Sequence, residues 1–183
     1  MRVLGIDPGT VATGWGVIDA AHSRLRRVDS GVIRTRGALP MRLARIYDET
    51  RRVLDAYEPA WLSLEKPFVG VNVQSAFRLG EARGAILAAA AHAGVQVHEY
   101  SPAEIKVAVA GTGRAVKEQV ATMVQRLLAI DGGLAEDEAD ALGAAICHVH
   151  SRHGAALDSG RTRRRPRATT RAAWARFAAT RQG

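Results

Sequence analysis

Apolar residues change their spacing several times along the chain, and each change marks a boundary. Val3-Leu4-Gly5-Ile6 is a short apolar run closed by Asp7, and comparable segments follow at about residues 13–19 and 28–35, separated by Gly-rich or polar turns at hairpin spacing. The three predict strands of an antiparallel meander. From Leu39-Pro40 to Tyr57, Leu43, Ile46, Tyr47, Val53 and Leu54 recur at helical spacing, and Pro59 stops the run. Trp61 to Glu65 predicts a short buried strand, Gln74 to Ala93 an Ala-rich helix ended by Gly94, and Val95 to Tyr100 another strand. Ser101 caps a short helix beginning at Pro102, which Gly111-Thr112-Gly113 breaks. Helices follow over Val116 to Ile130 and from about Leu134 to His150, with Asp131-Gly132-Gly133 as the turn between them. A meander followed by alternating helices and strands predicts an α/β fold, with one mixed five-stranded sheet and helices on both faces.

A chain of 183 residues is long enough for one domain with a substantial core. Its formal charge of +8 predicts an anionic partner, but the charge is unevenly placed. Nine of the 26 basic residues and one of the 18 acidic residues lie in 151–183, so the rest of the chain carries 17 of each and is formally neutral. The expected organisation is therefore a folded domain over 1–152 and an Arg-rich, flexible basic tail over 153–183. Cys147 is the single cysteine, which excludes an internal disulfide and reads as a buried thiol. The apolar run before Asp7 is too short for a signal-peptide core, and Ala85 to Ala91 is too short to span a bilayer, so a soluble cytoplasmic protein with no membrane contact is expected.

Four acids carry the candidate chemistry. Asp7 and Glu65 each close an apolar strand, whereas Asp137 and Asp140 are three apart and share one face of the last helix. Carboxylates gathered in this way suit Mg²⁺, a hard cation that prefers oxygen ligands. Each acid also has a structural reading: Asp before Pro-Gly is a common turn residue, and acids at a helix start oppose its positive dipole end. For Glu136 and Glu138 the helix-start reading is adopted. The six histidines show no ligand spacing.

Gly5-Ile6-Asp7-Pro8-Gly9-Thr10 with Gly14-Trp15-Gly16 resembles the opening of the RuvC family of Holliday junction resolvases. Leu64-Glu65-Lys66-Pro67-Phe68 is similar to the family's second acidic block, Leu79-Gly80-Glu81-Ala82-Arg83-Gly84 to its long-helix motif, and Asp137-Glu138-Ala139-Asp140-Ala141-Leu142 to its last acidic motif. The order and spacing match over roughly residues 1–150. Lys66-Pro67 departs from the usual pattern, and some members carry histidine where this chain has Asp137.

The resemblance implies a ribonuclease H-like fold and an Mg-dependent endodeoxyribonuclease that resolves four-way junction DNA by paired symmetric nicks in homologous recombination and repair. It implies two Mg²⁺ per site, with Mn²⁺ as a substitute, held by Asp7, Glu65, Asp137 and Asp140. Phe68 would insert at the junction centre, and Lys106 and Lys117 would lie near the scissile phosphate. The ordinary alternatives are a loop aromatic folded onto its own core and two solvated helix charges. A homodimer is implied, with part of the Gly80/Gly84 helix at its interface, as is partnership with the RuvA and RuvB branch-migration proteins. Asp-Pro-Gly-Thr after a strand also resembles the phosphate loop of actin-like ATPases, but 183 residues leave no room for their duplicated domain. A non-catalytic DNA-binding module of the same fold is the remaining alternative.

Overall fold

The computed structural model describes residues 1–21, 24–66 and 73–158, with side chains described as far as Arg152. Its strands are β1 (Arg2–Asp7), β2 (Ala12–Ala21), β3 (Arg24–Arg34), β4 (Trp61–Glu65) and β5 (Gln96–Tyr100); its helices are α1 (Leu39–Tyr57), α2 (Val73–Ala93), α3 (Pro102–Ala110), α4 (Lys117–Leu127) and α5 (Glu136–Asp158). The sheet order is β3-β2-β1-β4-β5, antiparallel across the first three and parallel from β1 through β4 to β5. This is the expected mixed sheet. Residues Met1–Arg152 form one compact unit. The basic tail from residue 159 onward lies outside the described residues, and α5 runs to Asp158, past the helix end expected near His150.

Alternation along the central strands assigns the layers. Leu4 and Ile6 of β1, Val17 of β2 and Leu62 and Leu64 of β4 pack with Ile46 and Leu54 of α1 and with Ala82, Ile86, Ala89 and Ala90 of α2. On the opposite face, Val3 and Ile18 pack with Ile105, Val109, Val120 and Val124 of α3 and α4, and with Leu142, Ala145 and Ile146 of α5. Each face buries more than ten residues, which at about 25 cal/mol per Å² of apolar surface is the main source of stability.

Local chemistry places several boundaries. Ser101 accepts from the Glu104 backbone N–H while the Glu104 carboxylate accepts from the Ser101 N–H, a reciprocal capping box that starts α3. Gly111 and Gly94 end their helices with φ of +76° and +70°, in the left-handed region where only glycine is unstrained. β3 begins at Arg24, earlier than the expected residue 28, because β2 continues to Ala21 and pairs with it. Backbone pairing at a sheet edge needs no apolar run, and Arg24-Leu25-Arg26-Arg27 has none.

Helix α5 lies unusually close to the sheet. A Cβ on Gly5 would stand 1.9 Å from the Ala141 carbonyl oxygen, one on Gly14 would stand 1.9 Å from that of Asp137, and one on Gly16 would meet the Leu142 side chain at 2.5 Å. The three glycines form the seat on which the first two turns of α5 rest. Buried Ser63 of β4 fixes the next turn by donating to the Ala144 carbonyl at 2.6 Å.

Candidate active site

Asp7 ends β1 opposite Gly14 of β2. Glu65 ends the adjoining parallel strand, one residue beyond the Ile6–Leu64 pair. The two share strand parity with Gly5 and Ser63, so both point toward the face that α5 covers. The loop after Asp7 is tied down by buried Thr13, whose hydroxyl donates to the Gly9 carbonyl at 2.6 Å, and by buried Thr35, which donates to the Thr10 carbonyl at 2.5 Å. Asp137 and Asp140 lie in the first turns of α5, above the glycine seat.

The electrostatics show that these acids share one neighbourhood. Burial, followed by the charges of Asp140, Glu65 and Asp137, pushes the Asp7 carboxyl up to about 7 from 3.8. Glu65 is raised by burial and by Asp140, against the opposing charges of Lys117, Lys106 and Arg83. Asp140 is also raised by burial, while Lys117 opposes the shift. Lys117 donates to Glu136 at 2.6 Å and to Asp140 at 3.2 Å, and those contacts raise its own pKa, the Glu136 bond most. Among the described residues no group of three or more His, Cys, Asp or Glu side chains is arranged to hold one metal ion. The carboxylates therefore share a field, and Asp140 is engaged by an ammonium group.

Lys117, the first residue of α4, thus stands at the acids, and Lys106 of α3 is near enough to influence Glu65. Phe68 lies outside the described residues. Glu138 behaves as a helix-start residue, accepting from the Ala135 N–H at 3.1 Å and from the Ser30 hydroxyl at 3.0 Å. Glu136 does more than oppose the helix dipole, because it is one of the two acceptors of Lys117. The sequence reading gave no role to Arg83, yet its guanidinium is buried and donates to the Glu65 carbonyl and the Glu99 carboxylate. A charged residue next to Ala82 on an otherwise apolar helix face was the available signal. Gly80 and Gly84 of α2 have open space where a side chain would project, so they do not pack on the sheet. No helix among the described residues is long and apolar enough to cross a membrane.

Known proteins match this chain in family and in fold. The family model described as crossover junction endodeoxyribonuclease RuvC matches residues 3–148. The RuvC crossover junction endodeoxyribonuclease of Aromatoleum aromaticum is 53% identical over 156 residues, covering 85% of this chain and 84% of the relative. The structure of Thermus thermophilus RuvC in complex with a Holliday junction substrate superposes with a TM-score of 0.80 at 35% identity, over 84% of this chain and 96% of the other. The yeast mitochondrial Holliday junction resolvase shares the fold at 12% identity and a TM-score of 0.57, over 86% of this chain and 85% of the other. With a match spanning both strand-end acids and both acids of α5, the chain belongs to the RuvC family of crossover junction endodeoxyribonucleases.

Proposed function

We propose that this chain resolves four-way DNA junctions by paired symmetric nicks, as a divalent-metal-dependent endonuclease of recombination and repair. The observation that carries the reading is the placement of Asp7 and Glu65 at neighbouring strand ends on the face covered by α5, whose first turns bear Asp137 and Asp140, in a member of this family. The donor set suits Mg²⁺ or Mn²⁺: it is all carboxylate oxygen, and burial with three neighbouring carboxylates raises the Asp7 carboxyl to about 7, a shift that Lys117 only partly offsets and that a bound cation would relieve. Two such ions, when bound, would help activate the attacking water and stabilise the leaving oxygen. Asp7, Glu65, Asp137 and Asp140 would hold these ions. Lys117 engages one oxygen of Asp140 and leaves the other to serve as a ligand, and its ammonium would hold the DNA backbone together with Lys106. Phe68 follows Glu65 by three residues, and stacking on an unpaired base there would contribute about 1–3 kcal/mol.

Two nicks related by a two-fold axis need two sites, and hence a homodimer. The outward face of α2 supports this assembly, because Val73 and Phe77 are exposed beside open Gly80 and Gly84. The Arg-rich residues 159–183 are assigned to non-specific phosphate contact; their deletion should lower the salt dependence of junction binding. Action in the cytoplasm alongside RuvA and RuvB belongs to the same reading.

The test is an immobile synthetic four-way junction, labelled on each strand in turn and incubated with protein and Mg²⁺. Cuts at symmetric positions in one pair of opposed strands are expected. Tight binding without any cut would favour the non-catalytic module.

A further inference from the structure

We infer that Arg83 is a positioning residue for the metal-binding acids, fixing the end of β4 so that the Glu65 carboxylate faces Asp7. The inference rests on the nuclease reading above. Glu65 is the last residue of β4, beyond the final pair that the strand makes with β1. The peptide that joins it to Lys66 is nevertheless held at both polar groups: the Lys66 N–H donates to the Tyr100 carbonyl at 2.7 Å, and the Glu65 carbonyl accepts from Arg83. Pinning both ends of that peptide removes the rotation that would swing the carboxylate away from the α5 face.

The placement of Arg83 argues against a purely packing role. It is 7% exposed and sits on the α2 face otherwise formed by Ala82, Ile86, Ala89 and Ala90. Burying a guanidinium costs desolvation that an apolar residue of similar size would avoid. Its charged partner Glu99 is 39% exposed, so that pair is partly wet and offsets little of the cost. What the arginine supplies, and an apolar residue cannot, is a rigid two-armed donor that joins α2 to the ends of β4 and β5. Groups that orient metal ligands in this way change metal affinity or activity by about 10- to 100-fold when removed.

The test uses full-length Arg83→Met and Arg83→Lys, with Asp7→Asn alongside. Mn²⁺ affinity of the junction complex is read from the free-ion electron paramagnetic resonance signal, junction affinity is measured in EDTA, and nicking is followed across Mg²⁺ concentrations. Arg83→Met should bind Mn²⁺ about 10- to 100-fold more weakly, bind junction within about twofold of wild type, and recover nicking as Mg²⁺ is raised. Arg83→Lys keeps the charge without the planar fork and should fall between the two. Wild-type Mn²⁺ affinity in a folded Arg83→Met, or nicking lost equally at every Mg²⁺ concentration, overturns the role. If Arg83→Met does not melt cooperatively, Arg83→Lys decides: wild-type Mn²⁺ affinity in that variant overturns the role in the same way. Failure of the wild type to bind Mn²⁺ more tightly than Asp7→Asn would instead refute the metal-site reading itself.

Discussion

Gly14 and the Asp137 backbone approach so closely that a Cβ at Gly14 would stand 1.9 Å from the Asp137 carbonyl oxygen. The obstructing atoms belong to the backbone, so no rotamer change relieves the clash and the first turn of α5 must lift. Gly14→Ala is therefore expected to destabilise the protein by about 1–3 kcal/mol in urea unfolding. Nicking should fall further than stability does, because Asp137 and Asp140 ride on that turn. Gly133→Ala is the control, since a Cβ there meets nothing within 4 Å. Equal nicking by the two variants would dismiss the glycine seat.

Asp7 makes the folded protein sensitive to pH. Its pKa of about 7 in the fold lies above the unfolded value of 3.8, so its favourable contribution is complete below pH 3.8 and is lost as pH rises through 7. At pH 8 and without metal the ionised group costs about 2–4 kcal/mol. Asp7→Asn avoids that cost and should melt several degrees above wild type at pH 8 in EDTA, with the gap closing toward pH 4. Added Mg²⁺ should narrow it by stabilising the wild type alone. The same variant should bind junctions and fail to cut them. Identical melting of the two proteins at pH 8 in EDTA would contradict a carboxylate ionised at a cost among its buried acidic neighbours.

Lys117 and a metal ion would compete for the negative charge of Asp140. Removing the ammonium as Lys117→Met should therefore lower the Mg²⁺ concentration needed for half-maximal nicking, while the maximal rate falls through loss of a phosphate contact. The two effects have opposite signs, which separates this variant from one that is merely unstable. A higher Mg²⁺ requirement would show that the ammonium helps to assemble the site.

Much of the architecture was legible because single residues carry local rules. The Ser101 cap, Gly94, Gly111 and the strand-end placement of Asp7 and Glu65 depend on neighbours a few positions away, and a linear reading finds them. What the reading missed depends on contacts across the fold. The arginines of Arg24 to Arg27 gave no strand signal because an edge strand is held by its ladder with β2. Gly5, Gly14 and Gly16 could be recognised as a motif, but their purpose is visible only once α5 lies on them. Arg83 and Glu136 gain their roles from partners 18 and 19 residues away in sequence, Glu65 and Lys117, which no helical or strand period connects.

His148 is wholly buried in α5, far from any role in the proposed chemistry, and it sets an acid limit on the fold. Its Nδ1 is 2.9 Å from the Tyr100 hydroxyl, while its Nε2 has no hydrogen-bond partner among the described residues. The rings of His98 and Trp61 lie 4.8 and 5.4 Å away, and Arg152 covers Trp61 at 4.4 Å. Burial, together with the charges of His98 and Arg152, lowers its pKa to about 4 from 6.5. The neutral ring is thus favoured in the fold, and the stability it secures is present above pH 6.5 and lost as pH falls through 4, by up to about 3 kcal/mol. Asp7 gains stability over part of the same range, so the wild-type profile alone mixes opposite trends. The comparison is with His148→Met, whose urea midpoint should shift less between pH 7.5 and pH 4.5 than that of the wild type. If both proteins lose the same stability on acidification, proton uptake by His148 is not what weakens the fold in acid.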